Sequence, residues 1–560
     1  MKTKRLLAAL LVMFTMSANL WAEQVTIDGI KYEVIKKGKT AKVISNTPRY
    51  SGNIVIPETV EFEGVECKVT AIDNSAFYSC SELISVSVPD NVTDLGERTF
   101  YSCKKLVEVH LGTGISTINS EDFYNCTALT TINIPSTVTE IGSKAFDNCG
   151  ALTSISLPDG LETIETYAFY GSGLTKIIMG DGLKTIGNSA FAYCSNLTQA
   201  VIGSNVTTIG SSAFKKCPLT SVKIPNNVTS LGASAFEDCN KMLSVQIGSG
   251  VSEIRSFTFQ NCTELMSVYI IGNTLTEVQW YSFYGCKNLI VIKLPSSVTT
   301  IGGHVFEECS LLYNVELNEG LQTIESSAFK KCTDMHEISI PNSVTYLEDG
   351  VFSQCTNLAK VWIGTGMKRI DDDVFYKCEN LEHLYCYAVQ PPTATSYTFD
   401  YAYPEYATLH VPAESVNTYQ NTAPWSSFGT IVATDGSTPQ PPVLEKCATP
   451  TISYADNMVT FSCATEGVSF VYDIKASGTT GVGSQVALRP TYSISVYATK
   501  SGYEDSDTAI ETISPTNNLK GDVDGDGEVD IADAVRIVNF VVGKIPALAP
   551  RNENTIPNPE

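Results

Sequence analysis

The sequence predicts a mainly β protein: a long solenoid of short strands, followed by a small β-sandwich and a C-terminal calcium loop with its helix. Three observations predict it. A unit of 22 to 24 residues recurs across more than half of the chain. No single unit carries enough apolar residues to bury its own face, so the units must stack. Beyond the array come alternating apolar segments and then one dense carboxylate motif.

At 560 residues, 43% hydrophobic and 17% charged, the chain has the composition of an ordered protein and is too long for one core. Its 37 Lys and Arg against 60 Asp and Glu leave a net charge of −23. Such a surface repels nucleic acid and anionic lipid, so neither is an expected partner.

Residues 1–22 read as an export signal. Lys2, Lys4 and Arg5 open it, an apolar stretch runs from Leu6 to Met16, and Trp21-Ala22 ends it. Its removal leaves 34 positive against 60 negative side chains, a net −26. No later apolar run approaches about 18 residues, so no transmembrane helix is expected. The first cysteine is Cys67, so no lipid-anchored cysteine lies at the cleavage point. The mature chain is expected outside the cell or on its surface.

After an N-terminal β cap (23–66), the array occupies 67–388. Phenylalanine recurs fourteen times: Phe77, Phe100, Phe123, Phe146, Phe169, Phe191, Phe214, Phe236, Phe259, Phe283, Phe306, Phe329, Phe352 and Phe375. A cysteine follows three residues later in every unit but one, where Ser172 stands. The unit Leu289–Leu312 shows the logic. Leu289, Val291, Ile292 and Leu294 form a strand that Pro295 ends, because proline has no N–H to donate. Val298 and Ile301 form a second short strand ending at Gly302. A tight helical turn then brings Phe306 and Cys309 inward. Fourteen rungs at about 4.8 Å give a solenoid about 65–70 Å long.

These units resemble the BspA-like leucine-rich repeats, whose pattern is L-x-x-I-x-I-P, V-x-x-I-G, then A-F-x-x-C. Leu129 to Pro135, Val138 to Gly142 and Ala145 to Cys149 match it throughout, and the resemblance covers roughly residues 60 to 390. Residues 24–66 resemble the family's entry cap. The segment from Ala407 to Phe428, within a C-terminal cap at 389–434, resembles its exit segment. The resemblance implies an exported or surface protein that adheres to host proteins or to other bacteria.

Thirteen of the 17 cysteines belong to the repeat column. In an exported chain they suggest disulfides. As one buried column of odd number they read better as free thiols filling apolar space. Cys447 and Cys463 lie further on and are open to either state.

Outward positions of the strands form two columns. One holds Tyr269, Lys293, Glu316, Ser339, Trp362 and Tyr385; the other holds Ser267, Val291, Asn314, Glu337, Lys360 and His383. Tyr269, Lys293, Trp362 and Tyr385 are the candidate ligand-binding residues, the aromatics as anchors for a protein or a sugar ring. Shielding of the last rungs beneath the exit cap is the alternative role.

A linker (435–446) precedes four alternating runs: Pro450–Tyr454, Met458–Ser462, Phe470–Tyr472 and Tyr492–Thr499. They predict a β-sandwich at 447–513. The run Tyr497–Tyr503 is similar to the immunoglobulin-like chitobiase C-terminal domain family.

In 514–545, Asp522, Asp524, Asp526, Asp530 and Asp533 occupy loop positions 1, 3, 5, 9 and 12, with Gly527 for the bend and Glu528 to lend its carbonyl. That spacing predicts a Ca²⁺ site; crowded carboxylates without the ion would repel one another. Ile531, Ala534, Val535, Val538, Val541 and Val542 then stripe a helix that Gly543 ends. Loop and helix resemble half of a dockerin, which implies a cohesin partner. Ile531-Ala532 replace the Ser-Thr pair many dockerins use for that contact, and no second loop precedes the tail (546–560).

The five histidines, His110, His304, His336, His383 and His410, are scattered and meet no nucleophile in any local motif, so no catalytic residue is assigned and no enzyme is expected. The expected function is protein interaction or adhesion through the repeat face. A non-catalytic subunit of a cohesin-organised complex and a polysaccharide-binding protein are the alternatives.

Overall fold

The computed structural model describes residues 22–434, and beyond them 445–455, 458–465, 469–477, 491–499, 503–504, 506 and 509–513. The leader up to residue 21, most of the linker, the tail and all six calcium-loop residues (Asp522, Asp524, Asp526, Glu528, Asp530, Asp533) lie outside the described residues. The chain divides into two units, 1–437 and 438–560.

The first unit is a β-solenoid of about 16 turns. Most rungs supply one strand to a parallel sheet and a two-residue strand to a second, as Val291–Lys293 and Thr300–Ile301 do in the unit above. Inward residues of both strands are apolar because two sheets can exclude water only by burying facing sides. Leu289, Ile292, Val298 and Ile301 are all buried.

The remaining segment of each rung differs from the helical turn expected. In Gly142–Cys149, Lys144 and Asn148 both have positive φ, 55° and 60°. Alternate N–H groups therefore point along the solenoid. Those of Lys144, Phe146 and Asn148 donate to Thr166, Ala168 and Tyr170 of the next rung at 3.0, 2.7 and 2.8 Å. Those of Ala145, Asp147 and Cys149 close local turns. A helix would spend every N–H within its own rung; alternation lets half of them hold rungs together.

Phenylalanine from each turn enters a central stack. From Phe77 to Phe100 the ring centroids lie 5.1 Å apart, and from Phe214 to Phe236 they lie 5.4 Å apart with planes 1° from parallel. The stack outruns the fourteen phenylalanines by one ring at each end. Tyr50 meets Phe77 at 4.6 Å, and Phe399 stacks on Phe375 at 5.5 Å. Phe399 ends it, because Trp425 and Phe428 pack edge-on against the ring at 5.6 and 5.2 Å.

At the N-terminal end, Glu23–Ile27, Ile30–Ile35, Thr40–Val43, Val65–Ile72 and Thr59–Phe62 form one sheet in that spatial order. Asp94–Leu95 of the next rung joins it, so the cap and the array share one hydrogen-bonded surface. At the other end the parallel sheet runs through β1 (Glu337–Ile340), β2 (Lys360–Ile363), β3 (His383–Cys386), β4 (Thr408–Val411) and β5 (Thr430–Ala433). One short helix, α1 (Val416–Gln420), is the α-helix of this unit among the described residues.

The described residues of the second unit are β-strands and their connections. Thr451–Ala455 pairs antiparallel with Met458–Ser462. Thr491–Thr499 pairs antiparallel with both Ser469–Ser477 and Ala509–Ile513.

Candidate binding face

β2, β3 and β4 position the candidate site. Val361, Leu384 and Leu409 are fully buried at their centres, which fixes the register and turns the flanking residues outward. Trp362 lies opposite Ser339 on one side and Tyr385 on the other, and Tyr385 lies opposite His410. The rings stack in that order. Trp362 and Tyr385 are 5.4 Å apart with planes 12° from parallel; Tyr385 and His410 are 4.1 Å apart, again at 12°. A strand repeat near 4.8 Å suits this stacking, because it lies within the offset-stacking range of aromatic pairs.

His383 completes the group from the companion column. Its Nδ1 lies 3.2 Å from Nε2 of His410. Burial and the neighbouring His383 hold His410 below the usual histidine range, so its neutral form is favoured. His410 was legible as the same column: Thr408-Leu409-His410-Val411 repeats the pattern of His383-Leu384-Tyr385-Cys386.

The exit cap covers one face of Tyr385 through His410, but its helix and Trp425 pack elsewhere. Tyr419 of α1 donates its hydroxyl to the carbonyl of Ala388 at 2.8 Å, and the Trp425 indole N–H donates to Pro392 at 2.9 Å. Both side chains are fully buried against the core, whereas Trp362, Tyr385, His383 and His410 remain half-buried on the sheet.

The other two candidates are not brought to this cluster. Tyr269, 39% exposed, sits four rungs before Trp362, roughly 19 Å along the sheet at one strand spacing per rung. Lys293 is ion-paired with Glu316 at 3.6 Å. Two further aromatic rows appear at the turns. Tyr78, Tyr101 and Tyr124 stack at 4.8 and 4.7 Å, and Phe257, Tyr281 and His304 stack at 5.3 and 4.5 Å. The first was visible as a tyrosine directly after three successive core phenylalanines.

Burial keeps most of the cysteine column chemically quiet. All 17 cysteines are thiols in this structure, Cys447 and Cys463 included. Burial pushes the thiols of Cys126 and Cys355 up to about 12, far from the thiolate chemistry of a nucleophile.

Residues 70–198, 184–311 and 276–402 each match the family model described as "BspA type Leucine rich repeat region (6 copies)". Together they span 70–402, more than half of the chain. The chain belongs to the BspA-type leucine-rich repeat family. A leucine-rich repeat protein from Bacteroides ovatus ATCC 8483 shares the fold at 23% identity and a TM-score of 0.54, over 69% of this chain and 99% of that one. A leucine rich cell surface protein from Faecalibacterium prausnitzii A2-165 matches at 22% identity, over 74% of this chain and 95% of its own, with a TM-score of 0.37. The pneumococcal vaccine antigen PcpA matches at 18% identity over 74% and 99%, with a TM-score of 0.35. No relative matches among curated proteins. No helix among the described residues of this BspA-type protein is long and apolar enough to cross a membrane.

Proposed function

We propose that this BspA-type repeat protein is exported and acts as an adhesion protein, capturing a protein partner on the face built by Trp362, Tyr385 and His410. The observation that carries the reading is the ring stack itself. Rings packed face to face leave their edges, with the indole N–H and the phenol, for a ligand. Edges of that kind suit the carbonyls and side chains of a protein better than the flat face of a sugar, which needs an open ring. Membership of a family of repeat surface proteins supports the same reading. No catalytic role is proposed.

A second reading concerns the far end of the chain. The spacing of Asp522, Asp524, Asp526, Glu528, Asp530 and Asp533 favours a Ca²⁺ loop, and its half-dockerin character favours a cohesin domain as partner. The Ig-like stretch 447–513 would then act as a spacer.

Immobilised full-length protein should capture partners from a panel of purified surface and matrix proteins. Trp362→Ala and Tyr385→Ala should each reduce capture at least tenfold, because buried aromatic anchors dominate such contacts. Unchanged capture by both variants would remove the face from consideration. Capture of a cohesin that disappears with chelator, and is indifferent to Trp362→Ala, would favour the second reading.

A further inference from the structure

We propose that His383 and His410 form a chelating site for a borderline divalent cation, Zn²⁺ foremost, on the outer face of the sheet. Nδ1 of His383 and Nε2 of His410 converge to 3.2 Å. Two imidazole nitrogens bound to one tetrahedral zinc, each about 2.0–2.1 Å from the metal, stand about 3.3–3.4 Å apart. The pair therefore matches one edge of a zinc tetrahedron in length, and each ring would turn so that its lone pair meets the metal and not the other nitrogen.

The fold holds that edge in place. His383 lies opposite Thr408, and Tyr385 opposite His410, so the histidines sit diagonally across hydrogen-bonded β3 and β4. Burial of Leu384 and Leu409 prevents the two strands from slipping. The Tyr385 ring, 4.1 Å from that of His410 and nearly parallel, fixes the imidazole plane. Both histidines are half-buried, so water reaches them while their rotamers are restricted.

Imidazole donors select zinc, copper or nickel over calcium or magnesium. Among the described residues no group of three or more His, Cys, Asp or Glu side chains is placed to hold a metal. The proposed site accordingly has two protein ligands and leaves its remaining positions to water, which makes it an exchangeable site. It shares His410 with the proposed binding face, but zinc uptake needs no partner there.

The test is a calorimetric titration of the full-length chain with Zn²⁺ alone, in excess Ca²⁺ so that the Asp522–Asp533 loop does not compete. One saturable event is expected. His383→Ala and His410→Ala should each weaken it at least tenfold, and His336→Ala should leave it unchanged. His383→Gln and His410→Gln, which preserve size and hydrogen bonding, should lose the event as fully as the alanine variants while melting with the parent. Titrated Cu²⁺ should quench Trp362 emission, two rings away, in the parent and not in His383→Gln. Absence of zinc uptake, or glutamine variants whose isotherms overlay the parent, would overturn the proposal and reduce the pair to a hydrogen bond.

Discussion

Cys149 donates its thiol hydrogen to the carbonyl of Phe123, 3.1 Å away on the preceding rung. The same bond recurs from Cys126 to Phe100 at 3.1 Å and from Cys239 to Phe214 at 3.2 Å. Each thiol so adds a second hydrogen bond, from the next rung, to a buried carbonyl that already accepts an N–H within its own turn, as Phe123 does from Cys126 at 3.1 Å. Serine can stand there too: Ser172 is buried beside Cys194 at 3.3 Å.

Thiol labelling follows from this burial. With desolvation holding Cys149 well above the ordinary thiol range, the native column should resist maleimide until the rungs open. Labelling should be confined to Cys463, the one cysteine that is not buried, until denaturant is added, after which all 17 react. A mass that changes on reduction would reveal disulfides and contradict the free column. Cys149→Ser should cost about 1 kcal/mol, because the hydroxyl keeps the bond and loses only apolar volume. Cys149→Leu should cost more, by overpacking between rungs.

Asp122 is the buried acid that should shape the pH profile. It lies in the core, where its carboxyl accepts the N–H groups of Thr99 and Asn119 at 3.1 and 2.8 Å. Those bonds favour the charged form, but burial outweighs them and raises the group to about 8. The folded state thus binds a proton that the unfolded chain releases near about 3.9. Stability from this group is complete below that lower value and is lost as pH rises through about 8. Melting of the parent should fall across this window, and Asp122→Asn should flatten the decline. Overlapping pH profiles for the two proteins would show that the carboxyl does not titrate there.

Two glycines make opposite predictions. A Cβ on Gly232 would stand 2.3 Å from the Ser211 nitrogen and 2.4 Å from the Gly210 carbonyl carbon, so the rungs would have to part. Gly232→Ala should cost about 1–3 kcal/mol in denaturant titration. Gly150 has nothing within 4 Å of that position, and alanine there should be neutral or stabilise by about 0.4–1 kcal/mol through the unfolded chain. Equal midpoints for the two variants would mean that rung contact does not set the glycine requirement.

The repeating core was legible because one residue type marks one place on each turn. Phe146, Cys149 and Ile141 recur at fixed spacing and are all fully buried. The two ends of the stack were not, because their chemistry departs from the mark: Tyr50 replaces phenylalanine, and Phe399 is followed by Ala402 where cysteine would stand. The turn geometry was hidden for another reason. Positive φ falls on Lys144, Tyr167 and Ser189 as readily as on Asn148, so inter-rung hydrogen bonding, not residue preference, imposes it. On the candidate face, Trp362 and Tyr385 follow from strand alternation alone. The approach of His383 to His410 depends on a diagonal across two strands, which periodicity does not encode.

The carboxylate loop yields the remaining prediction. Five aspartates within twelve residues, Asp522 to Asp533, repel one another unless a cation screens them, and Gly527 adds chain entropy that only a bound ion offsets. Folding of the loop and the following Ile531–Val542 stripe should therefore be linked to Ca²⁺, whereas the repeat array is held by buried apolar stacking that no ion touches. Limited proteolysis of the full chain gives the two regions separate readouts. With Ca²⁺, cleavage within 514–545 should slow at least tenfold relative to chelator, while fragments ending inside 67–388 stay rare in both. Asp522→Ala with Asp526→Ala should cleave at the chelator rate even in Ca²⁺, since each would remove a proposed charged ligand while leaving the apolar residues of the stripe unchanged. Protection that is the same with and without the ion would mean that the acidic run is a solvated turn, and the calcium and cohesin readings would fall together.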